Sequence, residues 1–207
     1  MTEYEKMHNG MIYDCLTEEL GAVQKHSHRL CEQYNKLGVD AEDEKKEKLR
    51  EIFPNDDFGA YRSMETPIFI DNCKEIKIGK NFYSNIHFSF IGGNRVDIGD
   101  NVFIGPYCTL ATGIHSLIAN ESRITVDENG VAHDFEYGRP ITIGNDVWIA
   151  SNVTICGGVT IGKDSVIGAG SVVTKDIPAG VLAAGNPCKV IRKITEKDSM
   201  YLRAKRV

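Results

Sequence analysis

The sequence predicts a mostly β solenoid of stacked six-residue units preceded by a short helical region. Three observations carry this. In residues 141–180 the aliphatics Ile143, Ile149, Ile155, Ile161, Ile167 and Val173 stand six apart. The residue after each, Gly144, Ala150, Cys156, Gly162, Gly168 and Thr174, is small. A second series, Ile141, Val147, Val153, Val159, Ser165 and Ser171, runs two residues ahead of the first. A strict period of six fits neither a helix nor a lone strand, and marks a repeat. Each unit then holds one short strand and a corner, and three units close a coil of about 18 residues, stacked about 4.8 Å from the next. The aliphatic points into the prism and the small residue lets the chain turn.

Taken in order, residues 3–16 carry Tyr4, Met7, Met11, Ile12 and Leu16 at roughly helical spacing and predict a short helix leading to a turn at Tyr13-Asp14. Thr17 is a fair N-cap, with Glu18 and Glu19 placed for the positive helix end. Leu20, Val23, Leu30, Tyr34 and Leu37 mark the buried face of the helix that follows, which Gly38 is expected to stop. Asp40 or Asp43 is expected to cap a third helix, in which Leu49, Ile52 and Phe53 are the apolar positions and Pro54 the end. The count of six begins weakly at Ile78-Gly79 and becomes clear at Ile98-Gly99, Ile104-Gly105 and Leu110-Ala111. Residues 114–140 lose it, and an insertion of this length predicts a lid or binding loop. The expected organisation is a helical region 1–58 contributing to the acceptor site, a β-helix 59–188 with its excursion 114–140, and a basic C-terminal segment 189–207.

Composition narrows the function. The 207 residues are 42% hydrophobic, enough for a packed core, and apolar runs are interrupted too often for a membrane span. The acidic start MTEYEKM does not read as a signal peptide, so a cytoplasmic protein is expected. The six cysteines stand singly and are expected to be reduced thiols. Net charge is -5, yet residues 189–207 carry seven basic side chains against Glu196 and Asp198, which leaves -10 on the rest. An acidic body speaks against a nucleic-acid partner, while the basic tail suits a small anion.

From the residues alone, His115 stands where the count breaks, and imidazole, with an ordinary pKa of about 6.5, can accept a proton near neutrality. A packed loop histidine fits the same position. The wider pattern separates the two. EKMHNGMIYD, NFYSNIHF, DIGDNVFIGPYCTL, the His of ATGIHS, EYGRPITIGNDVWIASNVTICGGVTIG, VIGAGSVVTKDIPAG and AAGNPCKVIRKI resemble, in this order and from about Glu3 to Ile194, the maltose and galactoside O-acetyltransferases.

The resemblance implies a left-handed parallel β-helix of hexapeptide repeats with N-terminal α-helices, and a homotrimer with sites between subunits. It implies acetyl transfer from acetyl-CoA, as co-substrate and without metal, to a hydroxyl of a small sugar. His115 matches the general base, the backbone N–H of Ser151 the oxyanion donor, and Asp14, Asp71 and Asn85 acceptor-side positions. Trp148 and Ala169 fall along the pantetheine arm with Thr174 and Lys175, and Lys189 and Arg192 fall near the nucleotide phosphates. Two positions depart from the family pattern on the acceptor side: Gly93 replaces an acidic residue, and Ser116 a common Pro. Rival readings are an acetyltransferase of the same superfamily using an amino sugar, serine or oligosaccharide, a zinc enzyme drawing on His87, His115 and His133, and a non-catalytic assembly subunit.

Overall fold

The computed structural model describes residues 1–54, 56, 59 and 61–203. Helix α1 spans Glu3–His8, opened by a capping box between Thr2 and Glu5. It is shorter than the apolar spacing suggested. Gly10, at φ 68°, turns the chain out of the helix, so Met11, Ile12 and Leu16 lie beyond it and are exposed. Residues Tyr13–Asp14 form a strand instead.

Helix α2, Glu18–Asn35, starts on Thr17 as expected and buries Leu20, Cys31 and Tyr34. It ends at Lys36, before Gly38. Its last turn is fastened to the first coil: the Tyr34 hydroxyl donates to the Met64 carbonyl at 2.5 Å, and the Asn35 amide exchanges two hydrogen bonds with the Ile68 backbone. Helix α3, Glu42–Ile52, begins after Ala41 without a side-chain cap, contrary to the role expected of Asp40 or Asp43. Its first turn relies on Glu42, Asp43 and Glu44 opposite the helix dipole. Leu49, Ile52 and Phe53 are buried as expected, joining the same core as the coils.

The coils form three parallel sheets, with strands stacked in the order in which successive coils return to each face. Inward columns are continuous, for example Ile78, Ile98, Ile143 and Ile161. The small residue after the aliphatic is required because the coils touch there: a Cβ on Gly79 would sit 2.6 Å from the Gly99 carbonyl carbon. At the same corner, two residues further on, Asn81, Asn101, Asp146 and Asp164 all take positive φ, which short polar side chains tolerate. Near the C-terminal end Ser165 and Ser171 replace the apolar second series. Both are fully buried and bond backbone groups, Ser165 donating to the Pro178 carbonyl at 2.9 Å and Ser171 to that of Gly168 at 2.5 Å.

The first coils begin before Ile78, at strands Arg62–Met64 and Ile68–Ile70. Their period hides them. Arg62 faces Phe82 and Ile68 faces Phe88, twenty residues per coil, whereas Ile149 faces Ile167, eighteen. The two extra residues fall at one corner each time, after Ile70 and after Phe90. The long excursion leaves the prism at that same corner one coil later. It is less irregular than expected, holding a hairpin of Thr125–Val126 with Ala132–His133 and a returning strand Phe135–Gly138. The final strand, Lys189–Lys193, runs antiparallel to Val181–Ala184. Lys205 and Arg206 of the basic segment lie outside the described residues. No helix among the described residues is long and apolar enough to cross a membrane.

Candidate active site

The corner where the coils are irregular carries a small antiparallel sheet. Phe135–Gly138 is its centre, pairing with Tyr13–Asp14 on one side and Gly113–Ile114 on the other. This register places Tyr13 directly opposite Glu136, and His115 immediately after the third strand. His115 Nε2 lies 3.4 Å from Glu136 Oε2, with the imidazole half exposed and the carboxylate largely buried. The other oxygen of Glu136 accepts the Tyr13 hydroxyl. Burial and the Glu136 carboxylate together push the Tyr13 phenol far above its ordinary pKa, so it remains a donor.

His115, Glu136 and Tyr13 line a cleft of about 400 Å³, closed on the other side by α1 and α2. Asp71 also lines it, at the extra-residue corner after Ile70. Its Oδ1 contacts His28 Nε2 at 2.9 Å and accepts Gln24 Nε2 at 3.2 Å, and its Oδ2 accepts the Gly92 amide at 2.8 Å. Asp14 is not part of the cleft wall. Its carboxylate holds the excursion hairpin, contacting His133 Nδ1 at 2.6 Å and accepting the backbone amides of Asp134 and Leu16. Burial alone would raise the Asp14 pKa; the His133 and amide hydrogen bonds outweigh it and hold it below the ordinary value. His133 is correspondingly raised, first by Asp14 and further by Asp127.

The remaining expected residues sort onto two edges of the prism. Ser84, Ile104, Ile149 and Ile167 are in register, so Asn85, Ser151 and Ala169, each within two residues of that column, share one edge. Trp148 stands on the adjoining face, 55% exposed, between Phe103 and Val166. Ile91, Ala111 and Cys156 are in register on the other edge, where Asp71 and the excursion to His115 lie, and Thr174-Lys175 continue it. Within one chain, therefore, His115 and Asn85 do not meet. Asn85 Oδ1 instead accepts the amide of Ile86 at 2.8 Å.

Two family models match the chain: bacterial transferase hexapeptide (six repeats) over residues 140–175, and maltose acetyltransferase hexapeptide capping motif over residues 6–56. The galactoside O-acetyltransferase of Escherichia coli K12 is 39% identical over 197 residues, covering 95% of this chain and 92% of that protein. The chain belongs to the maltose and galactoside O-acetyltransferase family. A maltose O-acetyltransferase structure from Clostridium difficile 630 matches this acetyltransferase with a TM-score of 0.84 at 38% identity, covering 95% of this chain and 99% of that one. A galactoside acetyltransferase solved in complex with coenzyme A matches with a TM-score of 0.83 at 37% identity, covering 96% and 94%.

The acetyltransferase departs from expectation at several places. Glu136 went unrecognised in the sequence, although it sits in EYGRP just before the count resumes. Arg192, expected near phosphate, has its guanidinium engaged by both oxygens of Asp198, at 2.7 and 2.6 Å, so a phosphate would compete with that pair. Lys189 is exposed at the start of the same strand. All six thiols are free. Cys15 lies in the cleft, but burial and then the charges of Glu136 and Asp134 push its pKa to about 12, which leaves it a poor nucleophile. Cys108 is buried and directs its Sγ to the Ala150 carbonyl. Among the described residues no group of three side chains is arranged to hold a metal; His87 stacks on Tyr107 instead.

Proposed function

We propose that this acetyltransferase moves the acetyl group of acetyl-CoA to a hydroxyl of a small sugar, with His115 as general base. The observation that carries the reading is the His115–Glu136 pair facing a cleft of sugar size. His115 takes the proton of the acceptor hydroxyl as its oxygen attacks the thioester carbonyl. The new C–O bond forms, the C–S bond breaks, and the CoA sulfur leaves as the thiol with the proton held by His115. Glu136, 3.4 Å away, stabilises the imidazolium that exists between those two transfers. The backbone N–H of Ser151 is the oxyanion donor in this reading.

The two edges imply how the site is completed. His115 and Asp71 lie on one edge, Asn85, Trp148, Ser151 and Ala169 on the other, and a three-fold assembly sets the first edge of one copy against the second edge of its neighbour. Acetyl-CoA then runs along the groove between copies, with Thr174, Lys175, Lys189 and Arg192 toward its far end. Asp14 acts on the acceptor side through the hairpin it anchors. CoA release measured over a panel of sugars, amino sugars and serine tests the reading. Transfer to sugar hydroxyls, lost in His115→Ala with acetyl-CoA binding retained, is expected. Near wild-type transfer by His115→Ala removes the residue from the mechanism, and a preference for amines transfers the chain to the amino-acceptor branch.

A further inference from the structure

The His115–Glu136 pair depends on a ladder poorly able to align itself. Gly113 faces Gly138 and Ile114 faces Tyr137, and this register brings His115 opposite Glu136, 3.4 Å away. The first of those pairs joins two glycines, which have no side chains to specify an alignment, and a slip of one residue would turn the Glu136 carboxylate to the other face. One buried side chain is placed to hold the register from outside. Asn94 is 2% exposed. Its Nδ2 donates to the Met7 carbonyl at 2.7 Å and reaches that of His8 at 3.4 Å, at the end of α1. Its backbone N–H donates at 3.2 Å to the hydroxyl of Thr112, the residue before the Gly113–Ile114 strand. Thr112 in turn accepts the Arg139 amide at 3.1 Å. Gly138 backs directly onto Asn94, since a Cβ there would lie 2.5 Å from Asn94 Cβ. Both strands are thus seated against one side chain at the point where they carry none of their own.

We propose that Asn94 is a positioning residue for acetyl transfer, fixing the register in which His115 faces Glu136. This rests on the reading of His115 as general base and adds to it a residue that does not line the cleft. The test is a double-mutant cycle in kcat, by CoA release from acetyl-CoA with a galactoside acceptor, over wild type, Asn94→Leu, Glu136→Gln and the double variant. Leucine keeps the branching of asparagine and donates no hydrogen bond. Asn94→Leu is expected to lower kcat by about tenfold or more, with KM for acetyl-CoA within about twofold of wild type. In the double variant it is expected to add less than about twofold to the loss from Glu136→Gln, because the pair it aligns is already broken. Thr112→Val removes only the hydroxyl that receives the Asn94 amide, and is expected to lower kcat about threefold, a loss that Glu136→Gln absorbs in the same way. A kcat for Asn94→Leu within about twofold of wild type, or losses that multiply in the double variant, overturns the positioning role while leaving His115 as the base. Where Asn94→Leu does not fold, the same criteria apply to Thr112→Val. Near wild-type transfer by His115→Ala, run in the same series, overturns the general-base reading and this proposal together.

Discussion

Replacing Glu136 with Gln isolates the charge of the carboxylate beside His115. The amide keeps an oxygen for the Tyr13 hydroxyl and nearly the same volume, so the small sheet retains its cross-strand contact. What is lost is the attraction between a full negative charge and an imidazolium 3.4 Å away. Coulomb's law makes that about 5 kcal/mol at an effective dielectric of about 20 and about 1 kcal/mol in water. His115 is half exposed, which puts the loss at about 1–3 kcal/mol, or roughly 5- to 150-fold in kcat. The assay is steady-state CoA release with one good glycoside, alongside Tm and acetyl-CoA binding. We expect kcat to fall in that range with Tm and acetyl-CoA affinity unchanged, and Glu136→Asp to recover part of the loss. A kcat within a factor of two of wild type refutes the role given to Glu136, and an equal fall in Tm and activity reduces it to a structural residue.

Other perturbations probe the scaffold and the excursion. Gly79→Ala forces a Cβ against the Gly99 backbone and should cost about 1–3 kcal/mol, read as a lower Tm. Tyr34→Phe leaves the Met64 carbonyl without its donor and should cost about 1–2 kcal/mol in denaturant unfolding. The Asp14–His133 pair makes the excursion hairpin pH-dependent. The raised His133 contributes fully below its ordinary pKa and loses its contribution as pH rises through its native value; the lowered Asp14 loses its own as pH falls through its native value. Amide-exchange protection in residues 125–133, taken relative to the unstructured rate at each pH, should therefore fall on both the alkaline and the acid side, and His133→Asn should abolish the alkaline fall. Cys15, raised to about 12, should react with iodoacetamide at pH 8 far more slowly than an ordinary thiol.

Legibility in the sequence followed regularity. Residues 141–173 declare the prism because tight corners keep the aliphatics at six. The earlier coils escaped the count because Ile70 to Ile78 and Phe90 to Ile98 each span eight residues, and those extra residues build the cleft. Irregularity is thus itself a site signal, legible at the long break beside His115 and hidden at the two eight-residue corners. His115 is marked by the break in the count and by resemblance, Asp71 and Trp148 by resemblance alone, and the structure puts His115 and Asp71 on one edge with Trp148 beside another, which no linear pattern expresses. Glu136 and the Asp14–His133 pair are contacts across more than a hundred residues, made by strands of two to four residues too short for periodicity to reveal. The Arg192–Asp198 pair was equally hidden, because a basic tail reads as free charge until a turn folds an acid back upon it.

The central claim is that acetyl transfer takes place where the His115 edge of one copy meets the Asn85 edge of the next. Subunit mixing tests it most directly. His115→Ala and Asn85→Ala are each expected to be nearly inactive alone, because each spoils every site. Unfolded and refolded together in equal amounts, they should regain about a quarter of wild-type activity in a cyclic assembly, since about one site in four then draws both intact residues from different copies. Mixed assemblies that form but remain as inactive as the separate variants would contradict the shared site.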